Sequence, residues 1–71
     1  MTIRNLREVT INETRVIVTK LNEGKKYVGK VVFDSCICSV PEELLDSNIV
    51  RLETYAIRDY DGIEHGLELY I

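Results

Sequence analysis

Residues 49–71 read IVRLETYAIRDYDGIEHGLELYI. Apolar and polar side chains alternate on both sides of Asp61-Gly62, a dipeptide typical of the two-residue turn in a β-hairpin. The pattern therefore predicts an antiparallel hairpin made of residues 49–60 and 63–71, in which Arg58 lies opposite His65 and Thr54 lies opposite Leu69.

In this register the two faces of the hairpin differ in polarity. The face predicted to be dry carries Val50, Leu52, Ala56, Leu67, Leu69 and Ile71. The reverse face carries Arg51, Glu53, Tyr55, Asp59, Glu64, Glu68 and Tyr70, with Ile49 and Ile57 as apolar exceptions. A shift of one residue would reverse the faces, so the agreement between two strands read independently is the strongest local evidence for the fold.

Three further strands are predicted before this hairpin, at residues 8–11, 14–21 and 26–34. The second and third form a hairpin through residues 22–25, where Gly24 can take the positive φ that such loops need. Ile3 and Leu6 fit a strand or one helical turn equally well. Residues 35–40 continue extended, and residues 41–46 are predicted to form a short helix because Pro41 suits a first turn and Glu42 and Glu43 complement the positive helix start.

The predicted fold class is mainly β, a β-rich α+β chain with a single domain over residues 1–71. Five antiparallel strands would form a meander or a small open barrel, in the order three strands, short helix, two strands. Val, Ile and Thr make up 21 of the 71 residues and Ala occurs once, a composition that favours strands. The helix is too short to carry a crossover to a parallel strand.

A chain of this size usually needs support beyond its own core, since below roughly 70–80 residues one core rarely supplies more than about 3–5 kcal/mol. Cys36 and Cys38 are too close for an unstrained disulfide, and with His65 they give three of the four ligands that zinc usually takes. We therefore expect no metal and no cofactor, and we expect a homo-oligomer. The uncharged residues 36–39 would leave an unprotected sheet edge for such pairing.

The hydropathy pattern predicts a soluble, cytoplasmic protein without membrane contact. No stretch approaches the roughly 20 apolar residues that span a bilayer, and the first residues lack the apolar segment of a secretory signal. Charge is unevenly distributed, with a net +4 over residues 1–33 and −7 over residues 34–71, from seven basic and three acidic against two basic and nine acidic groups.

The sequence argues against an enzyme. Nucleophilic catalysis needs a base beside the nucleophile, and the single histidine, His65, shares the predicted dry face with Leu67 and Leu69 as a half-buried structural residue. The acidic pairs Glu42-Glu43 and Asp59/Asp61 would need a pocket to shift one pKa. Glycine-rich phosphate loops are absent, and no small-molecule substrate is evident.

Nucleic-acid binding is an alternative prediction. Single-stranded nucleic acid would lie on the basic first hairpin, whose cations include Lys25, Lys26 and Lys30, with Tyr27 among them. The acidic second half opposes long-range attraction to phosphate, and Tyr55 and Tyr70 lie on the acidic face of the last hairpin, outside this one.

Protein binding is the main prediction. Tyr55 and Tyr70 share the reverse face of the last hairpin, with carboxylates around them as a charged rim. We expect this face to dock a partner protein through Tyr55, Tyr70, Glu53, Glu64, Glu68 and Asp59. Short charged chains without an active site are also common among accessory proteins of phages and mobile elements, which suggests inhibition of host machinery by surface occupation as a further alternative.

Overall fold

Two β-hairpins lie side by side in one open mixed sheet. The computed structural model of the chain describes residues 1–25, 28–60 and 62–71, without the side chains of residues 57 and 59. Its elements are α1 (Ile3–Glu8), β1 (Arg15–Leu21), β2 (Gly29–Cys36), a 3-10 turn (Ile37–Ser39), α2 (Glu42–Leu45), β3 (Arg51–Asp59) and β4 (Gly62–Tyr70). The described part of the chain is therefore mainly β, with four strands and two short helices.

The strand order is β2-β1-β4-β3, so the central neighbours β1 and β4 run parallel. The predicted five-stranded antiparallel meander is not what the structure has. Because β2 and β3 occupy opposite edges, residues 37–50 must cross one face of the sheet to join them. This crossing segment supplies Ile37, Val40 and Leu45 to the core, where they are buried with Val16 of β1.

The predicted strand at residues 8–11 is wrong, because α1 reaches Glu8 and a turn follows. A capping box stabilises α1: the backbone N–H of Asn5 donates to the Thr2 hydroxyl at 3.2 Å, and the Thr2 N–H donates to the Asn5 side chain at 3.0 Å. Ile3 and Leu6 thus follow the helical alternative, and both are buried. Arg4 ties α1 to α2 through ion pairs with Glu42 and Asp46.

The C-terminal hairpin is confirmed with its register shifted. β3 ends at Asp59 and β4 begins opposite it at Gly62, so Ala56 lies opposite His65 and Thr54 opposite Leu67. Each residue of β3 thus pairs two positions earlier on β4 than the sequence predicts. A shift of two keeps every side chain on its face, because the side-chain period of a strand is two. Asp61 itself lies outside the described residues.

The first hairpin is also confirmed, with a longer loop than predicted. The Asn22 N–H donates to the Val28 carbonyl at 2.8 Å, Gly24 has a φ of +75°, and β2 begins only at Gly29. Lys26 and Tyr27 lie outside the described residues. A bulge between Val18 and Thr19 shifts the pairing by one residue on β2, which accounts for the run of apolar residues there.

The side of the sheet that the helices cover is called the inner face. The core lies there, formed by α1, the crossing segment, Val16 and Val18 of β1, and Leu69 of β4. Residues 36–39 do not form the predicted exposed edge, because Ile37 opens the 3-10 turn and is fully buried. Neither helix of the described residues, at six and four residues, is long enough to span a bilayer.

Candidate functional site

The side of the sheet opposite the helices is called the outer face. Alternation along each strand brings to it Arg15, Ile17 and Thr19 of β1, Asp34 of β2, Arg51, Glu53 and Tyr55 of β3, and Glu64, Gly66, Glu68 and Tyr70 of β4. Five of the six predicted site residues therefore share one surface. The sixth, Asp59, has an outer-face register position opposite Gly62, and its side chain lies outside the described part of the structure.

Arg15 connects three strands of the outer face. Its Nε donates to Asp34 Oδ1 at 2.9 Å, and its Nη1 donates to Glu64 Oε2 at 3.5 Å. The hydrogen bond to Asp34 is the main reason why the pKa of the Arg15 guanidinium is raised, so this cation stays charged. The Glu64 carboxylate is thus partly neutralised from within the sheet.

The ring of Tyr55 lies across Gly66 on the neighbouring strand. A Cβ at position 66 would come within 2.6 Å of Tyr55 Cε1, closer than carbon atoms approach without a shift. Glycine is required here because the ring occupies the space of a side chain, a known use of glycine within strands. Tyr55 therefore forms part of the floor of the outer face and does not project from it.

The hydroxyl of Tyr55 is buried and has no hydrogen-bond partner among the described residues. Burial is the main reason why the pKa of this hydroxyl is raised, and the nearby Arg15 guanidinium partly opposes the shift. A buried hydroxyl without a partner costs roughly 1–3 kcal/mol relative to one that is bonded. The unbonded hydroxyl of Tyr55 therefore lowers the stability of the fold.

Tyr70 is held by two neighbours on the outer face. Its hydroxyl donates to Glu68 Oε2 at 3.0 Å, and the guanidinium of Arg51 lies 6.0 Å from the ring centroid. The hydrogen bond to Glu68 is the largest reason why the pKa of Tyr70 is raised, followed by burial. The ring is consequently fixed beside two charged groups of opposite sign.

Glu53 and Glu68 lie directly opposite each other on β3 and β4. Like charges in this position destabilise an antiparallel pair. Arg51 forms an ion pair with Glu53, whereas no ion pair among the described residues includes Glu68. The described outer face carries four carboxylates, at 34, 53, 64 and 68, against two guanidinium groups, at 15 and 51, for a net charge of −2.

The outer face places carboxylates beside the rings of Tyr55 and Tyr70, an arrangement whose chemistry suits a cation. Arg15, Asp34 and Gly66 belong to this face although the sequence does not suggest them. The first two lie far from the last hairpin along the chain and reach it only through the parallel pairing of β1 with β4. A glycine within a strand often marks a close approach, but the register predicted from the sequence places Gly66 opposite Ile57, and only the observed register places it opposite Tyr55.

The other candidate residues lie elsewhere. His65 is exposed on the inner side of β4, not half-buried as predicted, and the described residues contain no group of His, Cys, Asp and Glu that could hold a metal ion. Cys36 and Cys38 are free thiols. Lys20 and Lys30 lie opposite each other near the end of the first hairpin, with Lys25 exposed in its loop.

The geometry of the outer face is thus the basis for any functional assignment. Comparison of the chain with models of known protein families, with curated proteins and with solved structures finds no match.

Proposed function

We propose that the chain is a non-enzymatic interaction protein that docks a basic segment of a partner protein onto its outer face. The observation that carries this proposal is the opposed pair Glu53 and Glu68, with Arg51 paired to Glu53. A Lys or Arg side chain from a partner would relieve the repulsion between the two carboxylates. It would also supply Glu68 with the cation that the described chain does not provide.

Charge alone would give a weak complex. An exposed ion pair contributes only about 0.2–1 kcal/mol, so most of the affinity must come from buried contact area. Tyr70, Tyr55 and Ile17 offer that area around Glu68, because they lie on the same face of adjacent strands. The proposed ligand is therefore a segment that carries Lys or Arg next to apolar side chains, with specificity set by the cation.

The test uses two synthetic peptides of equal length, one that alternates Lys and Leu and one in which Glu replaces each Lys. Backbone amide shifts are followed by two-dimensional NMR on the labelled protein. We expect the basic peptide to shift residues of the outer face around Glu68, and the acidic peptide to leave them unchanged.

Glu68→Gln removes the charge at constant size, and we expect it to weaken binding of the basic peptide several-fold. Glu43→Gln serves as the matched control, since Glu43 is exposed on α2, across the sheet from the outer face. The proposal is wrong if the two variants bind equally, or if the shifts gather around Glu42 and Glu43.

Nucleic-acid binding is retained as a second candidate because Lys20 and Lys30 lie directly opposite each other with Lys25 nearby. If it is correct, a labelled single-stranded oligonucleotide binds, the affinity falls steeply as salt rises, and Lys30→Ala reduces that dependence. Binding of the oligonucleotide with no response to Glu68→Gln would favour this candidate over the first. Inhibition of host machinery by surface occupation stays a prediction, because no described residue identifies a target.

A further inference from the structure

The helices leave part of the inner face uncovered. α1 and the crossing segment pack over β1 and the end of β4, whereas the inner side of the edge strand β3 stays open. Val50, just before β3, is 70% exposed and Leu52 is 43% exposed. Met1 lies beside them, because its carbonyl accepts from the N–H of Ile49 at 2.8 Å.

A groove adjoins the other end of this open region. Val9 and Ile11, in the turn after α1, are 79% and 74% exposed. With Thr54 and Leu67 they line a groove of about 590 Å³. Together, Met1, Val9, Ile11, Val50 and Leu52 form what we call the inner-face strip, which runs along β3 beside α1.

The molecule has more surface than a chain of its size usually exposes. Its accessible surface is 5055 Å², whereas a monomer of 8.2 kDa exposes about 4500 Å². The excess surface follows from the flat shape of the molecule, which measures 38 × 25 × 16 Å. Its shortest dimension, 16 Å, corresponds to one sheet covered by a single thin layer of helices. The described core has eight buried residues, and both cysteines are free.

The inner-face strip is suited to a copy of itself. At one end Met1 and Val50 form a ridge of exposed side chains, and at the other end Val9 and Ile11 border the groove. A two-fold axis near Leu52 would place the ridge of each copy in the groove of the other, which is the self-complementary arrangement that a closed dimer requires.

Charge and area favour the same occupant. The side chains of the strip are uncharged and its one charge is the amino group of Met1, whereas the described outer face has a net charge of −2 and would repel its copy. The five residues are 43–79% exposed, so a copy that covers them removes their apolar surface from water.

We propose that the chain forms a two-fold symmetric dimer through the inner-face strip, with Val50 of each copy seated against Ile11 of the other. The dimer covers the open side of β3 and leaves both outer faces exposed. Its formation does not depend on the docking proposed above, and the two proposals are tested with different variants and readouts.

The first test measures mass by light scattering at about 100 µM. We expect twice 8.2 kDa for the unchanged chain. Val50→Glu should raise the dimer Kd roughly 100-fold or more, because the charge would be buried in an apolar contact. Val31→Glu is the matched control, since Val31 is an exposed valine on β2, at 53%. A monomeric unchanged chain, or equal effects of the two variants, overturns the proposal.

A mixing experiment separates loss of contact from misfolding. Ile11→Glu and Val50→Lys should each be monomeric alone, whereas an equimolar mixture should dimerise, because the heterodimer keeps one apolar contact and pairs the two new charges in the other. A mixture of Ile11→Glu with Val50→Glu should stay monomeric. If neither mixture dimerises, or both do, the assigned ridge-to-groove contact is wrong.

Discussion

Replacement of Gly66 by Ala tests the packing of Tyr55 that forms the floor of the outer face. Gly66 does not have a positive φ, so its backbone accepts alanine without strain. The added Cβ must displace the Tyr55 ring, whose Cε1 is 2.6 Å from that position. We therefore expect Gly66→Ala to lower the free energy of unfolding through the ring and not through the backbone.

The size of the effect follows from two opposing quantities. An aromatic residue buries about 150–250 Å², so full displacement of the half-buried ring exposes roughly 100 Å² and costs about 2.5 kcal/mol. Alanine gains about 0.5–1 kcal/mol over glycine within a strand. The net expectation is a loss of about 1.5–2 kcal/mol, which lowers the midpoint temperature by roughly 4–8 °C for each kcal/mol.

The same substitution should have the opposite sign when Tyr55 is absent. In a Tyr55→Ala background the Cβ meets no ring, and Gly66→Ala should stabilise by about 0.5–1 kcal/mol. The unchanged chain, Gly66→Ala, Tyr55→Ala and the double variant are compared by urea and thermal unfolding. One fixed protein concentration is used, since dimerisation makes stability depend on concentration. If Gly66→Ala has the same sign in both backgrounds, Tyr55 is not the reason for glycine at this position.

Three further predictions concern single hydroxyls. Tyr55→Phe should raise the free energy of unfolding by up to about 1 kcal/mol, because it removes a buried hydroxyl without a described partner, and a loss measured by urea unfolding would mean that the hydroxyl is bonded. Thr2→Ala should cost about 1 kcal/mol by removing the capping box with Asn5, and equal stability would contradict that role. The pKa of Tyr70 is raised, so its contribution to stability is complete below the unfolded pKa of about 10 and is lost as the pH rises through the folded pKa. Glu68→Gln should bring the Tyr70 pKa, followed by NMR of the ring carbons, back toward 10.

The sequence predicts which side chains of the last hairpin share a face because the cause is local, but it is wrong that this inner face is dry at Val50, Leu52 and Ala56, which are exposed. Side-chain alternation needs no knowledge of the rest of the chain, and it places Tyr55 and Tyr70 on one face even when the register is shifted by two. The sequence analysis leaves the helical turn at Ile3 and Leu6 open, although a spacing of three places both side chains on one face only in a helix. The pair Thr2 and Asn5 decides it, through a capping box built with Asn in place of the usual Glu or Gln.

The strand order could not be predicted because its cause is remote. Consecutive strands usually pair, and that preference leads to the meander. In the structure the segment 37–50 instead crosses the inner face, since Ile37, Val40 and Leu45 are the apolar side chains that cover Val16, Val18 and Leu69. The parts of the candidate site on β1 and β2 depend on this order, so Arg15 and Asp34 could not be assigned from the sequence.

The parallel pairing of β1 with β4 has a consequence for the kinetics of folding. Arg15 pairs with Gly66, so closing the centre of the sheet joins positions about fifty residues apart, whereas each hairpin closes over only a few. We expect both hairpins to form within microseconds and their association to limit the rate. Before the two hairpins associate, β1 and β4 each have an edge with unpaired backbone N–H and C=O groups. Newly made chains can therefore aggregate by pairing β1 of one molecule with β4 of another.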